Sequence, residues 1–333
     1  MKINALSPVL FFHFEDSSKG FEFEDLSYFS NPNRLMPFTS NPSLMAAVGT
    51  IDLNTIRRLV TVSYSGDISS LQNGWALKCP HPHPISATLN SHVNRALSYL
   101  WFIKDNSVYS QNCYVHSPEL NNCFRNVRSM MISNSAGEYS DTYFTLDELS
   151  QLDDLSKRIK SVSSFDPTNL EPGFPFSLDN PAVASAHNYQ NYNNSINRLT
   201  RALRFLDLAR STSYLPQKIS FYMSILECLF TTDSSEVTHK VSERASCFLG
   251  GIKSDKRDRF TYIKLAYKIR STYLHGQVFK ADLHSRNEWV VISLKIDSLI
   301  REVLRKIIFG DPAVFLEKKN DLLEKMFDEM LFE

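Results

Sequence analysis

Glycine is scarce, 10 residues in 333, and no P-loop, dinucleotide-binding fingerprint or G-x-S-x-G elbow is present. Those patterns need glycine where backbone must approach a phosphate or turn sharply, so kinase, dehydrogenase and serine-hydrolase readings lack support. Cysteine is sparse and odd in number: Cys79, Cys113, Cys123, Cys228 and Cys247. Two of them sit inside helical patterns and none shows a paired spacing, so reduced thiols in a cytosolic protein are expected. No uninterrupted apolar run approaches the roughly 20 residues that a membrane span requires. The start, MKINALSPVLFFHFEDSSKG, places one lysine ahead of a short apolar run broken by His13, a poor secretory signal. A cytoplasmic location is therefore the expectation. Net charge is missing too, with 36 Lys/Arg against 36 Asp/Glu. The balance hides a bias, because residues 187–333 hold 23 basic and 18 acidic residues, net +5, leaving −5 in residues 1–186. Such a bias permits RNA or phosphate binding without demanding it.

What is present is enough apolar material, 43% of residues, to bury a sizeable core, and a length that suggests two domains. Residues 1–162 read as strand-rich with some helix. SPVLFFHFED, FEFEDLSYFS, RRLVTVSYSG and SYLWFIKDNSVYSQNCYVHS are aromatic and β-branched, separated by Asn, Gly and Ser turns. An α+β or β-sandwich-like domain is expected, closed by a helix over 146–162. Pro167, Pro172, Pro175 and Pro181 deny both helix and sheet ladder, so 163–186 reads as a Pro-rich linker. From 187 to 333 the period becomes helical. Ile196, Leu199, Leu203 and Leu206 recur at three- and four-residue steps, as do Ile219, Met223, Leu226 and Phe230 after Pro216. Asp233 with Glu236 predicts a capping-box start to a helix that stops at Gly250-Gly251. Further amphipathic segments cover about 257–275, 285–309 and 312–332. The expected fold class is α+β in two domains, a strand-rich N-terminal domain and an all-α helical bundle.

The most informative stretch is KIRSTYLHGQ, 268–277. Phe260, Ile263, Tyr267 and Leu274 share one helix face, and Arg270 falls in the same series, where a guanidinium must find anionic or polar partners. His275 lies roughly 140° around from Arg270, and Gly276 permits the helix to end there. Two readings of the residues stand. In one, Arg270 pairs with a buried carboxylate such as Glu227 and His275 complements the helix dipole. In the other, Arg270 lines an interface, where its partners lie outside its own core.

KIRSTYLHGQ resembles the R-x4-6-H motif of the HEPN superfamily, and ISFYMSILECLFTTDSSEVTHKVSERASCFLGG upstream resembles the same region of its Apea-like branch, with Leu226-Glu227, Glu236, His239, Arg244 and His275-Gly276 in order. The resemblance covers about 195–310. It implies a HEPN helical bundle at 187–333 and a metal-independent endoribonuclease that leaves 2′,3′-cyclic phosphate ends, with Arg270 and His275 catalytic. It also implies a homodimer whose cleft joins two Arg270/His275 pairs, no cofactor, and RNA as partner, with tRNA a candidate. A role as a toxin or anti-phage defence effector would go with this. The N-terminal domain would then sense or regulate, answering a phage-derived activator or an inhibitory partner. The alternative is a non-catalytic HEPN module for dimerisation or nucleotide binding, with Arg270 and His275 structural.

Other candidates are weaker. Glu236, His239 and Glu243 share a stripe, and Glu236-Val-Thr-His239 is a single Glu-x-x-His where a di-iron bundle needs two, so no metal is expected. The resemblance suggests that Glu236, His239, Glu227 and Ser271 support the cleft. Lys253, Lys256, Arg257 and Arg259 sit in what reads as a loop able to steer an RNA backbone, diluted by Asp255 and Asp258. Cys79, His81 and His83 match no zinc spacing, and KCPHPHPIS reads as a proline-rich loop.

Overall fold

The computed structural model describes residues 2–15, 20–23, 26–29, 42, 45, 48–49, 56–67, 82–119, 122–128, 130–162, 196–279, 285–317 and 320–332. Its packing forms two compact units, Met1–Asn134 with Glu138–Ser156, and Ser135–Gly137 with Lys157–Glu333. The Pro-rich stretch 163–186, Cys79 and His81 lie outside the described residues.

The first unit is strand-rich. Its strands are β1 (Lys2–Leu10), β2 (Phe12–Phe14), β3 (Phe21–Phe23), β4 (Leu26–Phe29), β5 (Val60–Asp67), β6 (Tyr109–Ser110), β7 (Asn112–Ser117), β8 (Asn122–Val127) and β9 (Thr142–Phe144). Its helices are α1 (Pro82–Ser98), α2 (Leu100–Ile103), α3 (Leu146–Ser150) and α4 (Leu152–Val162), the last running across the division between units. The main sheet has the order β3-β4-β5-β1-β7-β8, every neighbour antiparallel, with β6 also paired to β1. β2 and β9 form a separate parallel pair. β1 is central, and strand alternation sends Ile3 and Ala5 to one face and Leu6 to the other. Ile3 and Ala5 pack with Cys113, Val115 and Leu89 of α1, whereas Leu6 packs with Tyr114, Val48 and Ile56. With both faces covered, only Lys2 of KINALSPVL is exposed, and even Ser7 is buried. Phe11, at φ 59°, turns the chain from β1 into β2 through the left-handed region, a strained position for an aromatic residue.

Three expectations change here, the first being that the helix expected over 146–162 is two, α3 and α4, parted at Gln151. The aromatic run at 98–103 is helical: Leu100, Trp101 and Phe102 of α2 are buried, and the strands of that segment are confined to Tyr109–Ser110 and Asn112–Ser117. A short apolar run does not declare its period, and burial all round suits either form. Pro82, His83 and Pro84 open α1 instead of forming a loop, because proline is tolerated where the first-turn N–H groups have no helical partner.

The second unit is helical: α5 (Arg198–Arg210), α6 (Leu215–Phe230), α7 (Val237–Phe248), α8 (Lys253–Leu274), α9 (Arg286–Phe309), α10 (Ala313–Leu316) and α11 (Asp321–Phe332). α6 is the hub, packing against α5, α7, α8 and α9. Leu215, Ile219, Tyr222, Met223, Ile225, Leu226, Leu229 and Phe230 are all buried, so α6 is apolar round most of its circumference. α9 opens on a capping box, Ser285 accepting the Glu288 N–H and Glu288 accepting the Ser285 N–H. The expected helix over 312–332 is two pieces, and the one expected to begin near 257 begins at Lys253. The expected Asp233/Glu236 capping box is absent. α7 starts at Val237, and Glu236 is its N-cap residue with left-handed backbone, φ 51°. Asp233 instead accepts hydrogen bonds from Lys240 and from Ser235, which hold its carboxyl below the usual carboxylate range. No described helix is long and apolar enough to cross a membrane.

Candidate functional site at the end of α8

Helical periodicity gives α8 a buried side carrying Ile263, Ala266, Tyr267 and Ile269. Leu274 was expected to continue the apolar face, but it is 58% exposed, because the helix runs out of packing partners before its sequence pattern ends. His275 is the C-cap residue, and its N–H donates to the Ser271 carbonyl at 3.0 Å. Gly276 follows at φ 65°, and the Gln277 N–H reaches back to the Thr272 carbonyl at 2.9 Å. This closure uses carbonyls that the helix leaves open, and glycine takes the left-handed position at no steric cost. The His275 imidazole is left exposed, with no hydrogen-bond or ionic partner among the described residues. Ser271, one turn earlier, is also exposed.

Arg270 faces the other way. Its Nη1 donates to Glu227 Oε1 of α6 at 2.5 Å, both side chains being about a quarter exposed, 26% and 24%. The Arg270 guanidinium carbon also lies 5.9 Å from the Tyr267 ring centre. Burial, and then the charge of Glu227, push the Tyr267 hydroxyl up from the ordinary phenol range. Arg270 Nε is buried and has no hydrogen-bond partner among the described residues, so the guanidinium is fixed through one nitrogen while other donors remain unused. Glu227 and Lys218 are the only charged residues of α6. Lys218, fully buried, donates through Nζ to the Ala209 carbonyl at 2.7 Å. Arg270 and Glu227 are thus brought together, whereas no hydrogen bond or ion pair joins Arg270 to His275 among the described residues.

Glu236 and His239 meet elsewhere. With Ser234, Val237 and Thr238 they line an open pocket of about 470 Å³, into which Lys264 of α8 also reaches. The His239 ring stands edge-on to Phe260, 5.5 Å between centres, and the Lys264 ammonium sits 5.2 Å from the same Phe260 ring. Among the described residues no group of three or more His, Cys, Asp or Glu is placed to hold a metal ion.

The four cations expected in a loop occupy the first two turns of α8. Lys253 and Arg257 are exposed and Lys256 is half-buried, while Arg259 donates to the Gly250 carbonyl at 2.6 Å and so finishes α7. The sequence pattern alone did not single out Lys264 and Lys268. Treating 253–259 as loop hid the four- and seven-residue spacing that puts Lys253 and Arg257 in line with Lys264 and Lys268.

No protein-family model, curated protein or solved structure matches the chain. The resemblance to the HEPN superfamily accordingly stands on the motif residues themselves.

Proposed function

We propose that the helical unit is a metal-independent endoribonuclease of the HEPN kind that acts as a homodimer. The observation that carries the reading is His275, an exposed and unpartnered imidazole at the end of the helix that holds Arg270. His275 takes the proton of a ribose 2′-hydroxyl, and the 2′-oxygen attacks the adjacent phosphorus. The bond from phosphorus to the 5′-oxygen breaks, and that oxygen gains a proton, leaving a 2′,3′-cyclic phosphate and a 5′-hydroxyl. Arg270 donates N–H groups to the phosphorane oxygens, and Glu227 is a positioning residue that fixes the guanidinium. The homodimer rests on the resemblance to HEPN proteins, in which two Arg270/His275 pairs share one cleft. On this reading the protein is a cytoplasmic toxin or anti-phage effector that cuts cellular RNA, tRNA being one candidate. The strand-rich unit senses a phage-derived activator or holds an inhibitory partner.

The test is incubation of the purified protein with total RNA and tRNA in EDTA, beside Arg270→Ala and His275→Ala. Cleavage by the native protein that both variants lose, leaving cyclic phosphate ends, is the expected result; undiminished cleavage by either variant overturns the assignment. Cutting the chain within 163–186 is expected to change activity if the strand-rich unit restrains it, and equal activity would remove that role.

A second reading has its own observation, the Arg270–Glu227 ion pair. In a non-catalytic dimerisation or nucleotide-binding module that pair only joins α8 to α6. Glu227→Gln then costs about 1–2 kcal/mol in urea unfolding, and RNA stays intact in every sample. Under the catalytic reading the same variant loses cleavage beyond what its unfolding explains.

A further inference from the structure

α8 carries a stripe on its solvent side in which four Lys and Arg residues alternate with hydroxyls. Lys253, Arg257, Thr261, Lys264, Lys268, Ser271 and His275 follow one another at steps of three or four residues, and all seven are exposed. At about 100° per residue they stay within about 80° of arc, opposite the buried side of the helix. The stripe runs about 33 Å at 1.5 Å per residue and holds no carboxylate, Asp258 being turned to one flank and Asp255 to the opposite side. It ends on the unpartnered imidazole of His275. Midway, Lys264 opens onto the pocket lined by Ser234, Glu236, Val237, Thr238 and His239. About 16 Å separates Lys264 from His275 along the helix.

We infer that this stripe is a track for the backbone of single-stranded RNA, with one unpaired nucleotide turned into the Glu236/His239 pocket and the strand continuing to His275. The inference deepens the ribonuclease reading and rests on it for the identity of the polymer. A row of cations without acids binds a polyanion through its phosphates and carries no sequence information. The pocket supplies what a row of lysines lacks. Glu236 accepts from the amino group of a base, Ser234 and Thr238 offer hydroxyls, and the His239 ring offers a flat face, groups that only an unpaired base can meet.

The test measures binding by anisotropy on the whole chain carrying His275→Ala, so that cleavage does not intervene, using a labelled single-stranded RNA of mixed sequence and a duplex of equal length across a salt series. The triple variant Arg257→Ala/Lys264→Ala/Lys268→Ala is compared with a control of equal charge loss, Arg57→Ala/Arg58→Ala/Lys325→Ala, melting temperatures being matched. The expected result is a loss of about tenfold or more in single-strand affinity for the track variant, with a salt slope shallower by about 2, and no comparable loss for the control. Glu236→Ala is expected to narrow the preference among single strands of different base composition. Equal binding by track and control variants overturns the track, even if native protein cleaves RNA. Duplex bound as tightly as single strand overturns the unpaired-base pocket. Binding that follows the track while native protein never cleaves would sustain the track and remove the ribonuclease instead.

Discussion

The two units satisfy their buried polar groups in different ways. In the strand-rich unit the interior uses neutral amides and hydroxyls. Asn94 holds both backbone groups of buried Ser110, accepting its N–H at 3.0 Å and donating to its carbonyl at 2.9 Å, while Asn90 donates to Asn126 at 2.8 Å. In the helical unit hydroxyls serve as well, Ser246 donating to the Ser242 carbonyl, but ions join them. Arg198 donates to the Cys228 and Thr231 carbonyls, Arg244 to that of Phe230 and Lys218 to that of Ala209, and the exposed Lys306 reaches in to that of Phe248. All of these carbonyls lie in or just past the last turn of a helix, where carbonyls have no partner within the helix and the dipole favours a positive charge. Sheet ladders leave few such groups, so short amides suffice. The comparison shows that part of the basic excess in the C-terminal half is structural, and only the cations left outside this scheme are candidates for a polyanion.

The sharpest way to break the comparison is Asp297→Ala. Asp297, 1% exposed, accepts from the Tyr222 hydroxyl at 2.8 Å and pairs with Arg301, so its loss strands a charge and a hydroxyl in the helical core. Urea unfolding is expected to show a cost of about 3–5 kcal/mol. Asn94→Ala, its neutral counterpart in the sheet unit, is expected to cost about 1–3 kcal/mol in the same measurement, and an equal or larger loss would erase the contrast between ionic and neutral interiors. At the small end, Lys325→Ala removes an ion pair to Glu329 that is 3.9 Å long and mostly exposed, and the midpoint is expected to move by less than about 0.5 kcal/mol.

Much of the helical half was legible in the sequence. Ile219, Met223, Leu226 and Phe230 mark the buried side of α6 by spacing alone, and Gly276 marks the end of α8. The start of α7 was not legible, since Asp233 has the right residue type but spends its carboxylate on Lys240 and Ser235. α2 was misread because Leu100, Trp101 and Phe102 suit a buried strand as well as a buried helix turn. Of the candidate site, Arg270 with Glu227 was foreseen as one alternative, whereas the alignment of Lys264 and Lys268 with Arg257 was hidden by a loop reading of residues that are helical.

The sequence by itself determined where backbone hydrogen bonding would be helical or extended in most segments, because apolar period, proline and glycine act within a few residues of where they stand. It also placed His275 at a helix end, a local consequence of Gly276. Tertiary structure alone decided which cations are engaged. Arg270 finds Glu227 across 43 residues, and Arg198 finds Asn320 across 122. Nothing in the local pattern of Arg259 separates it from Arg257. One lies beside the open carbonyl of Gly250 and the other faces solvent, and that difference comes from how α7 and α8 meet, because the partner of a charge is set by packing in space and not by spacing along the chain.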